Sequence, residues 1–328
     1  MKRYKAFILN EKLRSDTTEL SYDEIRDIIK KNCKEFSLDD IPIYRGLGGV
    51  YLDYILLDPK NFDRKSLTDI NTYNAIADHT WRDYPKRKNS LICTTSKSYT
   101  GVFGNLYRVI PFDGSKWGVA PKHDFWYSFN DLIKQFDPGS TIQQFFRYIS
   151  VMYDDFFGEL LGELTDFNEI KKAFNKIQKH CKDNSIKLQY EYGEKYGFLS
   201  QKLLSAFLHD DNFFDWIVEQ MKPEKNGFKL LDYKDLDNKE LNGNRELWTD
   251  SKCLMIYCPD GENNRLLDSV FNPKWRVHIH TKDPEWQEFI SDKSPVEIKA
   301  FDEDEIYKMW KSGENKTGAY ISKIERID

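Results

Sequence analysis

Leu91-Ile92-Cys93-Thr94-Thr95-Ser96 sets an apolar run directly before three hydroxyls. Apolar and β-branched residues suit a pleated backbone, so a strand is expected over Ser90 to Thr95. Two other segments share the design of a strand that ends in a chemical tool. Upstream, Pro42-Ile43-Tyr44-Arg45-Gly46 ends in a guanidinium, and Gly46, Gly48 and Gly49 let the backbone turn sharply after it. Downstream, Asn244-Arg245-Glu246-Leu247-Trp248 carries a carboxylate beside an indole. An arginine fork matches a diphosphate, hydroxyls orient a ribose or a neighbouring carboxylate, and a carboxylate stabilises a sugar cation.

Outside these segments the pattern alternates between strands and helices. Tyr4 to Leu9 is a candidate strand, and Ser21-Tyr22-Asp23-Glu24 is a capping box that starts a helix with Ile25, Ile28, Ile29 and Cys33 on one face. Leu67 to His79 is an expected helix, and Ser98 to Phe103 an expected helical turn closed by Gly104. Leu106 to Phe112 is an expected strand, with Trp117 to Ala120 as its hairpin partner. From Asp131 to Met221 the chain turns helical. Ile142, Phe145, Phe146, Ile149, Met152, Tyr153 and Phe156 form a stripe at helical spacing, which is the mark of a core face. Strands return at Phe228 to Leu231, Glu246 to Trp248, Lys252 to Tyr257, Trp275 to His280 and Gly318 to Ile324, with a helix near Glu303 to Lys311. The fold class expected is α+β: a split β-sheet core, a large helical insertion and a C-terminal α+β extension. The boundaries are 1–129 for the first half of the core, 130–225 for the insertion, 226–260 for the rest of the core and 261–328 for the extension.

Composition narrows the function. With 49 Lys and Arg against 54 Asp and Glu, the net charge of −5 does not favour a dedicated polyanion binder. Lys86-Arg87-Lys88 is the one dense basic cluster, either a solvated loop or a rim that meets phosphate. The five cysteines fit no disulfide framework or zinc signature. The apolar part of the opening Met1-Lys-Arg-Tyr-Lys-Ala-Phe-Ile-Leu-Asn10 is too short for a signal sequence or a span, so a reducing cytoplasm without membrane contact is expected. Gly46-Leu47-Gly48-Gly49 is not a dinucleotide fingerprint, and no P-loop, nucleophile elbow or HExxH occurs.

The order arginine strand, hydroxyl strand, glutamate strand resembles the R-S-E class of ADP-ribosyltransferases. The stretch from Trp81 to Phe129 also looks like phage and bacterial members, through Y-P-K-R, S-L-I-C-T-T-S, G-N-L-Y-R-V-I-P and D-F-W-Y-S-F. The resemblance implies a split-sheet core that clasps NAD+ as co-substrate and cleaves its nicotinamide glycosidic bond, with no metal. It implies Arg45 on phosphate and ribose, Thr94 orienting the glutamate, and Glu246 on the nicotinamide ribose. Arg45, Gly46, Tyr44, Thr95, Ser96, Tyr99, Phe103 and Trp248 would hold the cofactor. T-T-S replaces the family's S-T-S, and Asn244 stands where arginine-modifying members carry Glu or Gln, which points to an acceptor other than arginine. The implied setting is a phage effector or a bacterial toxin in a host cytoplasm. Its partners would be a macromolecular acceptor, protein or nucleic acid, and an antitoxin or inhibitor protein. The rivals are a NAD glycohydrolase and a non-catalytic phage structural or partner-binding protein with a degenerate version of the fold.

Three weaker constellations complete the reading. Asp124 is either a second acid or a turn residue. Glu159 and Glu163, four apart, are expected on one helix face, without a histidine to complete a metal motif. His278 and His280 share a strand face, again without further ligands at matching spacing.

Overall fold

The structure is a computed structural model that describes residues 17–48, 51–62, 71–100, 103–184, 199–259, 265–271, 273–281, 295–312 and 319–327. The candidate strand Tyr4 to Leu9 and the first residues of the expected helix Leu67 to His79 lie outside that set.

The chain is α+β, built on a large antiparallel sheet. Its strands are β1 (Thr17–Glu19), β2 (Tyr44–Leu47), β3 (Tyr54–Leu57), β4 (Leu91–Thr94), β5 (Asn105–Pro111), β6 (Lys116–Val119), β7 (Lys229–Asp232), β8 (Glu246–Thr249) and β9 (Cys253–Tyr257). They lie in the order β1-β3-β9-β5-β2-β4-β8-β6-β7. A second sheet, β11-β10-β12, is made by β10 (Lys274–Thr281), β11 (Val296–Lys299) and β12 (Ala319–Arg326). The helices that matter below are α1 (Tyr22–Asn32), α2 (Asn71–Thr80), α3 (Lys97–Thr100), α4 (Ile142–Phe157), α5 (Phe167–Asp183), α6 (Gln201–His209), α7 (Phe213–Gln220) and α8 (Arg265–Phe271). No helix among the described residues is long and apolar enough to cross a membrane.

Local chemistry starts and stops these elements. Ser21 and Glu24 form the expected reciprocal capping box on α1. Thr141 and Gln144 do the same for α4, which ends at Gly158 in the left-handed region. That stop corrects one expectation: Glu159 and Glu163 fall beyond α4 and do not share a helix face. Glu159 instead accepts from the Tyr153 hydroxyl and pairs with Lys176.

The expected hairpin of Trp117 to Ala120 with the preceding strand does not form. Both edges of β5 are taken, by β9 and β2, so β6 goes to the far side of the sheet between β8 and β7. Gly118 makes that position workable. It lies opposite Trp248, and a Cβ built on it would stand 2.2 Å from the indole ring.

The sheet has a seam. β2 and β5 share four residue pairs, as do β4 and β8, but β2 and β4 share only Tyr44 with Thr94. Opposed side chains on antiparallel strands share a face. One face carries Ile43, Leu47, Cys93, Val109, Leu247 and Met255 in a single apolar cluster. The other face is covered twice. Over β5 and β9, Ile110, Leu254 and Ile256 pack with residues of α1 and α8. Over β8, Trp248 packs with the aromatic residues of α2, α4, α5, α6 and α7. The seam runs between these two covers.

Candidate active site

Tyr44, Thr94 and Glu246 stand in one row across β2, β4 and β8 at the seam. Side chains alternate along a strand, so Arg45 belongs to the opposite face, with Ile43 and Leu47. Arg45 Nη1 donates to the Ile92 carbonyl at 2.8 Å, across the gap where β2 and β4 part. The structure therefore brings Thr94 beside Glu246 and sets Arg45 one strand away, stapling the seam.

Glu246 is held by residues that the sequence reading did not assign to it. Its Oε2 accepts from the Phe125 N–H at 3.1 Å. Its Oε1 lies 2.8 Å from Arg87 Nη2, and the two side chains are 12% and 6% exposed. The Thr94 hydroxyl is engaged elsewhere, accepting from the Ser96 N–H at 3.0 Å.

Arg87 is thus neither a solvated loop residue nor a rim. The carboxylate of Asp78, on α2, accepts the backbone N–H groups of Arg87 and Lys88. Asn74, one turn earlier, accepts from Arg87 Nε at 2.8 Å. The guanidinium lies 3.8 Å from the Phe125 ring centroid and 5.0 Å from that of Trp248. A planar, weakly hydrated cation suits such an aromatic slot. The misreading has a physical origin, since three consecutive basic residues look solvated unless the acceptors on a distant helix are known. Asn74 and Asp78 also line a separate cavity of about 340 Å³ with Lys86, Lys88 and Phe167, which holds none of the expected site residues.

The Arg87–Glu246 pair is close but incompletely hydrogen-bonded. The Nη2–Oε1 approach has ion-pair distance without hydrogen-bond alignment, and Glu246 Oε1 and Arg87 Nη1 are buried with no hydrogen-bond partner among the described residues. Glu246 Oε1 is held electrostatically by the guanidinium, and Arg87 Nη1 is the donor of the pair that has no hydrogen-bond partner among the described residues.

Asp124 joins the same cluster. It does make a turn, with Oδ1 accepting from the Trp126 N–H at 2.8 Å. Burial pushes its carboxyl up to about 7, the Glu246 charge adds to that, and Arg87 opposes it. Tyr99 stands on the solvent side with Tyr127, both exposed, and His123 lies between their rings at 5.5 and 5.1 Å. Burial raises the Tyr99 hydroxyl, and the charges of Asp124, Tyr127 and Glu246 raise it further.

The remaining expected residues are structural in this arrangement. Trp248 is fully buried, its Nε1 donating to the Pro85 carbonyl at 2.9 Å, so it walls Arg87 and does not present a face for a ligand. Tyr44 is buried against Arg108. The Thr95 hydroxyl clamps the start of β8, accepting from the Arg245 N–H and donating to the Gly243 carbonyl. The Ser96 and Ser98 hydroxyls share a hydrogen bond at 3.1 Å. Gly46 lets α3 dock, since a Cβ there would stand 2.5 Å from the Thr100 carbonyl oxygen and 2.8 Å from Phe103 Cβ. Phe103 packs beside Tyr99 with ring centroids 6.2 Å apart. His278 pairs with Glu325, and no group of three or more potential ligands that could hold a metal occurs among the described residues.

No family model, no curated protein and no solved structure matches the chain.

Proposed function

We propose that the chain transfers ADP-ribose from NAD+ to a macromolecular acceptor, on a sheet core of the ADP-ribosyltransferase kind. The observation that carries this reading is the buried Arg87–Glu246 pair beside Thr94, with Arg87 Nη1 having no hydrogen-bond partner among the described residues. A ribose hydroxyl is the complement of such a pair: it donates to the carboxylate and accepts from the guanidinium. Thr94 beside Glu246 and Tyr99 at the solvent side fit the same pose.

The chemistry follows from charge. Nicotinamide leaves as a neutral molecule, because the electron pair of the breaking C–N bond quenches its ring cation. The ribose left behind is electron-poor, and a fixed, desolvated carboxylate stabilises it more in the transition state than in the ground state. Arg87 and the Phe125 N–H hold the Glu246 carboxylate in place. Arg45 keeps the seam closed on the opposite face, and no diphosphate contact is assigned to it in this proposal. The acceptor is not arginine, given Asn244, and the setting is a phage effector or toxin with a cognate inhibitor.

The test is nicotinamide release and label transfer from NAD+ to separate protein, RNA and DNA pools, with Glu246→Gln in parallel. Glutamine keeps the shape and one acceptor, so folding should survive while turnover falls about 10² to 10³-fold. Full activity in the variant sinks the glutamate assignment. Release without transfer makes the chain a glycohydrolase, and no NAD+ consumption at all turns the reading to a partner-binding protein.

A further inference from the structure

We infer that Tyr99, His123 and Tyr127 form a stacking ledge for unpaired nucleobases, and that the acceptor of this site is single-stranded nucleic acid. This rests on the function proposed above and names the acceptor class for it. His123 is tied to Glu246 from both sides. The Glu246 N–H donates to the Lys122 carbonyl at 3.1 Å, and the Phe125 N–H donates to Glu246 Oε2 at 3.1 Å. The imidazole lies 5.5 Å from the Tyr99 ring, at 67° to it, and 5.1 Å from the Tyr127 ring, at 32°. Tyr99 arrives from the other wall, on α3, shortly after Thr94, which is paired with Glu246 across β4 and β8. Both tyrosines stay exposed, 36% and 44%. The neighbouring Phe125, Phe129 and Trp248 are buried in the helical cover, so packing accounts for them and not for the ledge.

A nucleobase offers a π-face to such rings, and base–aromatic stacking needs no shaped pocket. A phosphate backbone needs cations beside the rings. The segments that carry the rings and Glu246, 97–99, 122–127 and 242–246, hold Lys97, Lys122 and Arg245 against Asp124 and Glu246, and Glu246 is already paired with Arg87. The whole chain carries −5, so this positive balance is local to the site. A peptide acceptor could add as a strand only at an open sheet edge, and both edges of β8 are taken, by β4 and β6. Nicotinamide leaves from one side of the sugar carbon and the acceptor enters from the other, so the ledge on the solvent side belongs to the acceptor. In the step, a protic nitrogen or hydroxyl of the strand bonds to the anomeric carbon as the bond to nicotinamide breaks. Its proton goes to solvent. The products are the ADP-ribosylated strand, neutral nicotinamide and one proton, so charge and atoms balance.

The probes are fluorescein-labelled oligouridylate and oligothymidylate and a thymidylate–adenylate duplex, titrated by anisotropy with the full chain in the absence of NAD+. The single strands should bind about tenfold or more tighter than the duplex, whose bases are already stacked. Tyr127→Ala and Tyr99→Ala should each weaken strand binding about 5 to 150-fold. Tyr127→Leu keeps apolar bulk and removes the ring face, so it reports stacking even where alanine disturbs packing. Lys122→Ala should lower the slope of log affinity against log salt by about 0.7. With NAD+ added, label should enter the RNA or the DNA pool, which tells ribose from deoxyribose strands, and Tyr127→Ala should raise the KM for the strand more than that for NAD+. Strand affinity within about twofold of the wild type in every ring variant overturns the inference. Duplex bound as tightly as single strand, a KM rise for NAD+ alone, or label confined to the protein pool overturns it too. In these cases NAD+ turnover by the wild type leaves the transferase reading standing. Absence of NAD+ turnover in the wild type overturns that reading, and the acceptor role with it, whatever the strands do.

Discussion

Replacing Arg87 by methionine isolates the interaction on which the site rests. Methionine retains the unbranched apolar stem between Phe125 and Trp248 and removes the charge. The loss has three parts. Glu246, 12% exposed, keeps only the Phe125 N–H. A stranded carboxylate can escape by taking up a proton, which at pH 7 costs about 1.36 kcal/mol for each unit above an unperturbed value near 4.3, or about 3.7 kcal/mol. The hydrogen bond to Asn74 adds about 1 kcal/mol, and the aromatic contacts add about 1 kcal/mol. Together the parts come to about 5–6 kcal/mol, at the upper end of the roughly 3–5 kcal/mol that breaking a buried pair costs, so a loss of about 5 kcal/mol is expected at pH 7. The sign of the pH dependence follows. A carboxylate driven to hold its proton in the fold stabilises relative to the unfolded chain only at low pH, and that contribution disappears as pH rises. At pH 5 the protonation part shrinks by two units, about 2.7 kcal/mol. Urea unfolding at pH 5 and 7, followed by the fluorescence of the neighbouring Trp81 and Trp248, measures the loss. Arg87→Met with Glu246→Gln should remove the part of the pH dependence that Glu246 contributes and leave that of Asp124. A loss below about 1 kcal/mol at pH 7, or one no larger than at pH 5, would refute the reasoning.

Two further outcomes concern stability at the same place. Asp124 has its carboxyl raised by burial and by Glu246, so its ionisation opposes folding as pH climbs towards 7; Asp124→Asn should raise Tm above pH 7 relative to the wild type and lose that advantage near pH 4, in thermal melts across pH. Gly118→Ala drives a methyl to 2.2 Å from Trp248, whose indole is held by the Pro85 carbonyl, so a loss of about 1–3 kcal/mol in urea unfolding is expected, with NAD+ turnover falling because Trp248 and Glu246 share β8.

Much of the local structure was legible because it is set by neighbours in sequence. The Ser21–Glu24 box, the stripe from Ile142 to Tyr153 and the runs Leu91 to Thr94 and Cys253 to Tyr257 encode their own elements through caps and periodicity. Thr17–Glu19, Tyr54–Leu57 and Val296–Lys299 passed unread as strands, since three or four residues carry too little pattern. Glu246 was legible as a chemical group in a strand. Arg87 was not, because its burial depends on Asn74, Asp78 and Phe125 arriving from elsewhere.

The sequence by itself determined the α+β class, the helix caps, the stripe that becomes the helical cover and the carboxylate in its strand. Tertiary structure alone decided that β6 joins β8 and not β5, that Arg45 staples the seam, and that Arg87 and Asp124 meet Glu246. The physical reason is range. Caps and periodicity act over three or four residues, whereas an ion pair in a desolvated slot exists only after strands and helices more than 100 residues apart have closed around it.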